Sequence, residues 1–155
     1  KILSKLKKMK SFSQAQSIGC YYSIGSEVQT NDLIKALLSE KKIVSLPQVC
    51  DDTMVFRRIE DITKLETGNF DIPEPKESCP IQETHDVILV PCIGLDNNGN
   101  RIGYGYGFYD KYLSKNESTK IALAYSKQIV KSIPNSEHDV KMDWIVTETD
   151  VIKIS

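Results

Sequence analysis

Long apolar runs are absent from this 155-residue sequence. Nowhere do the roughly 18 consecutive apolar residues of a bilayer-spanning helix occur, and the lysine-rich start has neither the apolar segment nor the cleavage site of a secretory leader. Zinc spacing is missing as well. Cys20, Cys50, Cys79 and Cys92 form no Cys-x-x-Cys pair, and the two histidines, His85 and His138, stand at no ligand spacing from them, which argues against a structural zinc site. Cys20 and Cys92 lie in apolar, strand-like runs where a thiol behaves as a small buried hydrophobe, so reduced cysteines in a cytoplasmic protein are expected. No charge of one sign prevails: 20 Lys and Arg against 21 Asp and Glu leave a net charge of −1. That balance calls for neither nucleic acid nor an anionic membrane as partner. The length suits one domain with a real core, expected to act as a monomer.

The elements that are present alternate. Ile2, Leu3, Leu6 and Met9 fall near helical spacing among lysines and predict an amphipathic first helix. Residues 17–23 predict a strand, Thr30-Asn31-Asp32 a helix start ahead of Leu33, Ile34, Leu37 and Leu38, residues 42–49 a strand and 54–59 another. Residues 65–80 hold three of the six prolines and predict a loop. The continuous run Val87-Ile88-Leu89-Val90 fits a strand buried on both faces of a parallel sheet. A short helix over 108–115 and strands over 120–125, 144–147 and 151–154 complete an α/β pattern. In such sheets ligands bind beyond the carboxyl ends of the strands.

Chemistry is concentrated after the most apolar strand. Residues 101–110 read Arg-Ile-Gly-Tyr-Gly-Tyr-Gly-Phe-Tyr-Asp. Glycines let a ligand approach the main chain and let successive N–H groups turn toward one anion. Arg101 offers a fixed guanidinium fork for phosphate oxygens, and a helix starting near Phe108 would aim its amino end at the same place. The same alternation could equally be a strand with a bare face against which other backbone packs. The spacing is neither a Walker loop nor a dinucleotide fingerprint. Asp110 could simply complement a helix end, and Asp139 could be a solvated loop acid; together they are candidate magnesium carboxylates. Neither histidine is assigned a role.

Residues 90–96, Val-Pro-Cys-Ile-Gly-Leu-Asp, followed by Gly99-Asn100 and the 101–110 motif, resemble the signature of the 5-formyltetrahydrofolate cyclo-ligase family, also called methenyltetrahydrofolate synthetases. Glu27-Val28-Gln29-Thr30, Leu46-Pro47, Met54-Val55-Phe56, Ile72-Pro73-Glu74-Pro75, Leu123-Ala124-Tyr125 and His138-Asp139-Val140-Lys141-Met142-Asp143 are similar to its other landmarks, in the same order. The resemblance implies a three-layer α/β/α fold around a mostly parallel sheet, Rossmann-like without the dinucleotide fingerprint. It implies ATP- and Mg²⁺-dependent conversion of 5-formyltetrahydrofolate to 5,10-methenyltetrahydrofolate with release of ADP and phosphate. The partners implied are the folate substrate and ATP alone.

Carried over by position, the resemblance implies ATP contacts at Arg101, Gly103, Gly105, Gly107 and Tyr109, and magnesium at Asp110 and Asp139. It implies substrate contacts at Ile24, Gln29, Tyr104, Gly105, Tyr106, Gly107 and Phe108, and singles out no catalytic side chain. Gln29 stands where the family usually has an acid, and Phe108 where it usually has a tyrosine. The family's first helix, with a Lys and an Arg for the ATP phosphates, has no counterpart in this sequence, where Lys1 and Lys5 fit the helix that follows it. The expectation is one cyclo-ligase-like domain over 1–155 lacking that helix. The alternatives are a folate- or nucleotide-binding relative without catalysis, or a structural α/β domain whose glycines only pack.

Overall fold

In the computed structural model, residues 1–68, 71–103, 107–135 and 139–154 are described. The apolar spacing at the start does form helix, but in two pieces. Helix α1 (Ile2–Lys8) buries Ile2 and Leu6, Met9 is extended with ψ 128°, and α2 (Lys10–Ser13) buries Phe12. Strand β1 (Ser17–Gly19) is shorter than the expected 17–23. Beyond it the backbone turns to its own loop: the Ser23 amide donates to Thr30 Oγ1 at 3.1 Å, the Thr30 amide donates to Ser23 Oγ at 3.1 Å, and the Thr30 hydroxyl donates to the Tyr21 carbonyl at 2.6 Å. Thr30 precedes α3 (Asn31–Ser39) as expected, yet its hydroxyl binds this loop instead of capping the helix. Leu33, Ile34 and Leu37 form the buried stripe of α3, each contributing about 1.5–3 kcal/mol on burial.

Strands β2 (Ile43–Cys50) and β3 (Thr53–Ile59) pair antiparallel from Cys50↔Thr53 to Val44↔Ile59, around a turn where Asp51 takes φ 54°. Residues 65–80, expected as loop, contain a hairpin of β4 (Leu65–Thr67) and β5 (Pro73–Pro75). Prolines cannot donate to a ladder, so side chains help hold this hairpin: the Val49 amide donates to Glu74 Oε2 at 3.0 Å.

Strand β6 (Val87–Val90) is buried at all four positions, as its composition predicts. A second hairpin, β7 (Gly94–Leu95) and β8 (Arg101–Ile102), leads to α4 (Phe108–Leu113), β9 (Thr119–Leu123), β10 (Trp144–Val146) and β11 (Val151–Lys153). The seven-stranded sheet runs β11-β10-β9-β6-β1-β2-β3, parallel between β10 and β2 with one antiparallel strand at each edge. The two-residue period of the strands divides the core. Val87 and Leu89 pack with residues of α1, α2 and α3, whereas Ile88 and Val90 pack with Leu113 of α4 and its neighbours. This is a three-layer α/β/α architecture. Strand order reverses between β1 and β6, because β1 continues outward to β2 and β6 outward to β9, which opens a crevice beyond their carboxyl ends.

Candidate active site

A cavity of about 730 Å³ occupies that crevice, a size typical of small-molecule sites. Its aromatic and apolar lining includes Tyr21, Tyr22 and Ile24 after β1, Pro47 and Val49 of β2, and Ile72 and Pro73 of the proline hairpin. Its charged lining is Arg101, Asp110, Asp139, Glu27 and Glu74, and Gly103, Gly107 and Tyr109 also border it.

Arg101 is placed by the turn that precedes it. Asp96, 1% exposed, sits at the centre of residues 96–100: its Oδ1 accepts from the amides of Asn98 and Asn100 at 3.0 Å, and its Oδ2 accepts from Asn100 Nδ2 at 3.1 Å and from the Ile133 amide at 3.0 Å. Burial pushes the Asp96 carboxyl up, but these hydrogen bonds together outweigh it and hold it below the usual carboxylate range. The Arg101 guanidinium then lies over the Tyr109 ring, 5.2 Å from its centroid, and Nη1 donates to the Pro91 carbonyl at 3.1 Å. Its Nε is buried with no hydrogen-bond partner. A buried, unmet donor costs about 1–3 kcal/mol, and here it belongs to a side chain that lines the cavity.

The two described glycines of the motif serve different needs. A Cβ on Gly103 would lie 2.7 Å from Arg101 Nη1, so its missing side chain makes room for the guanidinium. Gly107 has φ 71°, the left-handed conformation at the start of α4, and a Cβ there would meet nothing within 4 Å. Asp110, in the first turn of α4, accepts the Val140 amide on Oδ1 at 3.2 Å, which ties the 139–140 segment to this helix and brings Asp139 to the same cavity. Two carboxylates fit magnesium, which binds one or two protein acids and fills its octahedron with phosphate oxygens and water. Among the described residues no group of three or more His, Cys, Asp or Glu is gathered for a metal.

Arg101, Gly103, Gly107, Phe108, Tyr109, Asp110, Asp139 and Ile24 all line the cavity. Gln29 does not: it is exposed, whereas Glu27, two residues earlier, is 8% exposed and does line it. Glu27 was missed although it lies in the same Glu-Val-Gln-Thr phrase; its Oε1 accepts the Ile24 amide at 2.8 Å, fixing the loop. Glu74 was missed as well, being hidden in a proline-rich segment. Tyr104, Gly105 and Tyr106 lie outside the described residues. Burial pushes the nearby Cys20 and Cys92 thiols up to about 12, Arg101 only partly opposing it at Cys92, which disfavours their thiolates. Burial also raises the Tyr21 phenol, which stays protonated and donates to the Val28 carbonyl at 3.0 Å.

Residues 1–148 match the 5-formyltetrahydrofolate cyclo-ligase family. The chain belongs to that family. It is 32% identical over 153 residues to the 5-formyltetrahydrofolate cyclo-ligase of Mus musculus, covering 88% of this chain and 75% of that one. It is 34% identical over 139 residues to the enzyme of the same name from Haemophilus influenzae, covering 83% and 74%. Among solved structures, Aquifex aeolicus 5,10-methenyltetrahydrofolate synthetase superposes with a TM-score of 0.87 at 31% identity, over 99% of this chain and 79% of that one. The cyclo-ligase family thus carries, in this chain, a cavity lined by an arginine, two aspartates, aromatic rings and aliphatic side chains.

Proposed function

We propose that this chain converts 5-formyltetrahydrofolate to 5,10-methenyltetrahydrofolate, using ATP and Mg²⁺ and releasing ADP and phosphate. The observation that carries the reading is the Arg101 side chain lining a cavity that also holds Asp110 and Asp139, in a chain of this family. A formamide oxygen is a poor leaving group. In the proposed reaction the N5-formyl oxygen attacks the γ-phosphorus of ATP as the bond to ADP breaks. N10 then attacks the activated formyl carbon, the carbon–oxygen bond breaks to release phosphate, and the N10 proton passes to solvent.

The protein's work is positioning and charge neutralisation. Arg101 supplies the guanidinium for phosphate oxygens, and Gly103 leaves space for it. Asp110 and Asp139 would hold Mg²⁺, which when bound neutralises phosphate charge. Tyr21, Tyr22, Ile24 and Pro47 in the lining suit a flat ring, and Phe108 adds a further aromatic side chain. The Glu27 carboxylate, which lines the same cavity, suits the N–H donors of a pterin edge. Tyr104, Gly105 and Tyr106 would contact the substrate in this reading, and Gly105 ATP as well.

The enzyme is read as a cytoplasmic monomer acting on small molecules; four free cysteines, three of them buried, suit a reducing compartment. The test is the absorbance of the methenyl product on mixing the purified chain with 5-formyltetrahydrofolate, ATP and Mg²⁺. Signal that requires both ATP and Mg²⁺ is expected. Folate or ATP binding without any product would instead identify a non-catalytic relative.

A further inference from the structure

The β4–β5 hairpin gives Ile72, Pro73 and Glu74 to the cavity lining, and side chains attach it to β2 and β3. Successive residues of a strand face opposite ways. Pro47 and Val49 line the cavity, so Gln48 between them, 6% exposed, belongs to the other face of β2. Arg57 shares that face: it stands opposite Leu46 on the neighbouring strand, which puts Gln48 one diagonal step away, within reach of a long side chain. Arg57 Nε donates to Gln48 Oε1 at 2.7 Å, and its Nη1 donates to the carbonyls of Cys79 at 2.7 Å and Glu77 at 3.2 Å. Gln48 Nε2 in turn donates to the Pro75 carbonyl at 3.4 Å. Two side chains thus hold the carbonyls of Pro75, Glu77 and Cys79, where the chain leaves the hairpin. Glu74 adds an attachment through the Val49 amide, and a Cβ on Gly68 would collide with Glu74 Oε1, so Gly68 leaves room for that carboxylate inside the hairpin.

We infer that Arg57 and Gln48 are positioning residues for folate: they clamp the proline hairpin from the far face of β2 and so hold Ile72, Pro73 and Glu74 at the cavity. That the ligand is a folate rests on the proposed function. Neither Arg57 nor Gln48 is among the described residues that line the cavity. The hairpin needs outside support, because its strands have three residues each, Pro73 and Pro75 donate nothing to the ladder, and a two-stranded hairpin is marginal alone. The Val49 bond sets it two residues from Pro47, one of the side chains given to the folate ring. Arginine suits the task because its planar guanidinium presents fixed donors to several acceptors at once, which a lysine ammonium does not. A hairpin released from the clamp lines the cavity for only part of the time, and apparent affinity falls by that fraction. Bonds from a charged donor are strong enough to make the fall about tenfold. Arg101, Asp110 and Asp139 stand on β8, on α4 and in the segment tied to α4, so nucleotide binding should be spared.

The experiment compares the unsubstituted chain with Arg57→Met, Gln48→Leu and the double variant. Amide hydrogen exchange is followed without ligand, and calorimetry reads binding of 5-formyltetrahydrofolate and, separately, of ATP with Mg²⁺. Each single substitution should speed exchange in the β4–β5 hairpin while β6 stays protected, weaken folate binding about tenfold, and leave ATP binding within about twofold. The double variant should be no worse than the weaker single one, because both cut the same relay. Arg57→Lys, able to keep one of the bonds, should show the same pattern at about threefold and serves where Arg57→Met fails to fold. Unchanged hairpin exchange, folate binding within about twofold of the parent, or equal losses for folate and ATP would overturn the assignment. Binding is read without turnover, so folate binding that follows this pattern but never leads to product would refute the catalytic proposal and leave the clamp standing. Absence of folate binding by the unsubstituted chain would refute both.

Discussion

Replacing Gly103 by alanine should separate activity from stability. The added Cβ would lie 2.7 Å from Arg101 Nη1, 3.4 Å from Cζ and 3.5 Å from Nη2. Ordinary contact needs about 3.5–4 Å, so the guanidinium must move by roughly 1 Å. Its bond to the Pro91 carbonyl, now 3.1 Å, would then pass the limit of a useful hydrogen bond. One such bond is worth about 1 kcal/mol, and the lower backbone entropy of alanine in the unfolded chain returns about 0.4–1 kcal/mol. Net stability should therefore change by less than about 1 kcal/mol, a Tm shift of roughly 3 °C or less. A phosphate-binding cation misplaced by about 1 Å costs on the order of 10–100-fold in rate. Steady-state kinetics of ATP-dependent methenyl formation, with thermal unfolding followed by circular dichroism, reads both quantities. A variant within twofold of the parent in kcat/KM for ATP would refute the role given to Arg101. A Tm loss above about 10 °C would show that Gly103 is needed for folding rather than for guanidinium placement.

Other outcomes follow from the same geometry. Asp110→Asn should raise the Mg²⁺ concentration for half-maximal activity by about tenfold or more, since it removes one of two candidate ligand charges; a magnesium titration reads it. Asp96→Ala leaves four donors without their carboxylate and should cost about 3 kcal/mol in urea unfolding. The conformation around Arg101 should loosen with it. His85, 7% exposed and hydrogen-bonded to Ser45 Oγ at 2.5 Å, is lowered by burial to about 4, Asp86 opposing. The unfolded chain therefore binds the extra proton first, so stability should fall as pH drops from about 6.5 toward 4, by about 2 kcal/mol after allowing for partial screening. Urea midpoints at pH 7 and 4.5 test this, and His85→Gln should flatten the slope.

What the sequence conveyed was what local pattern can carry. Val87 to Val90 announced a strand buried on both faces because four consecutive apolar, mostly β-branched residues have no polar face to expose. The glycine motif announced a cavity wall, but not that Gly103 yields space to Arg101 while Gly107 takes a left-handed φ; one residue type meets both needs. The β4–β5 hairpin was hidden because Pro73 and Pro75 read as breakers, and its attachment to Val49 is a side-chain bond made 25 residues away. Strand β1 ended early because Thr30, seven and nine residues beyond Ser23 and Tyr21, takes up backbone groups of both. Glu27 was passed over because a loop acid is ordinarily solvated, whereas here the turn at Ile24 holds it in the cavity.

The central claim is that Arg101, Asp110 and Asp139 bind a triphosphate beside a folate ring so that phosphoryl transfer drives ring closure. The most direct measurement is simultaneous quantification of ADP, phosphate and methenyltetrahydrofolate in one reaction, with and without Mg²⁺. The account predicts all three in equal amounts and none without the metal. Methenyl product formed without ADP, or ADP released at the same rate in the absence of folate, would contradict it.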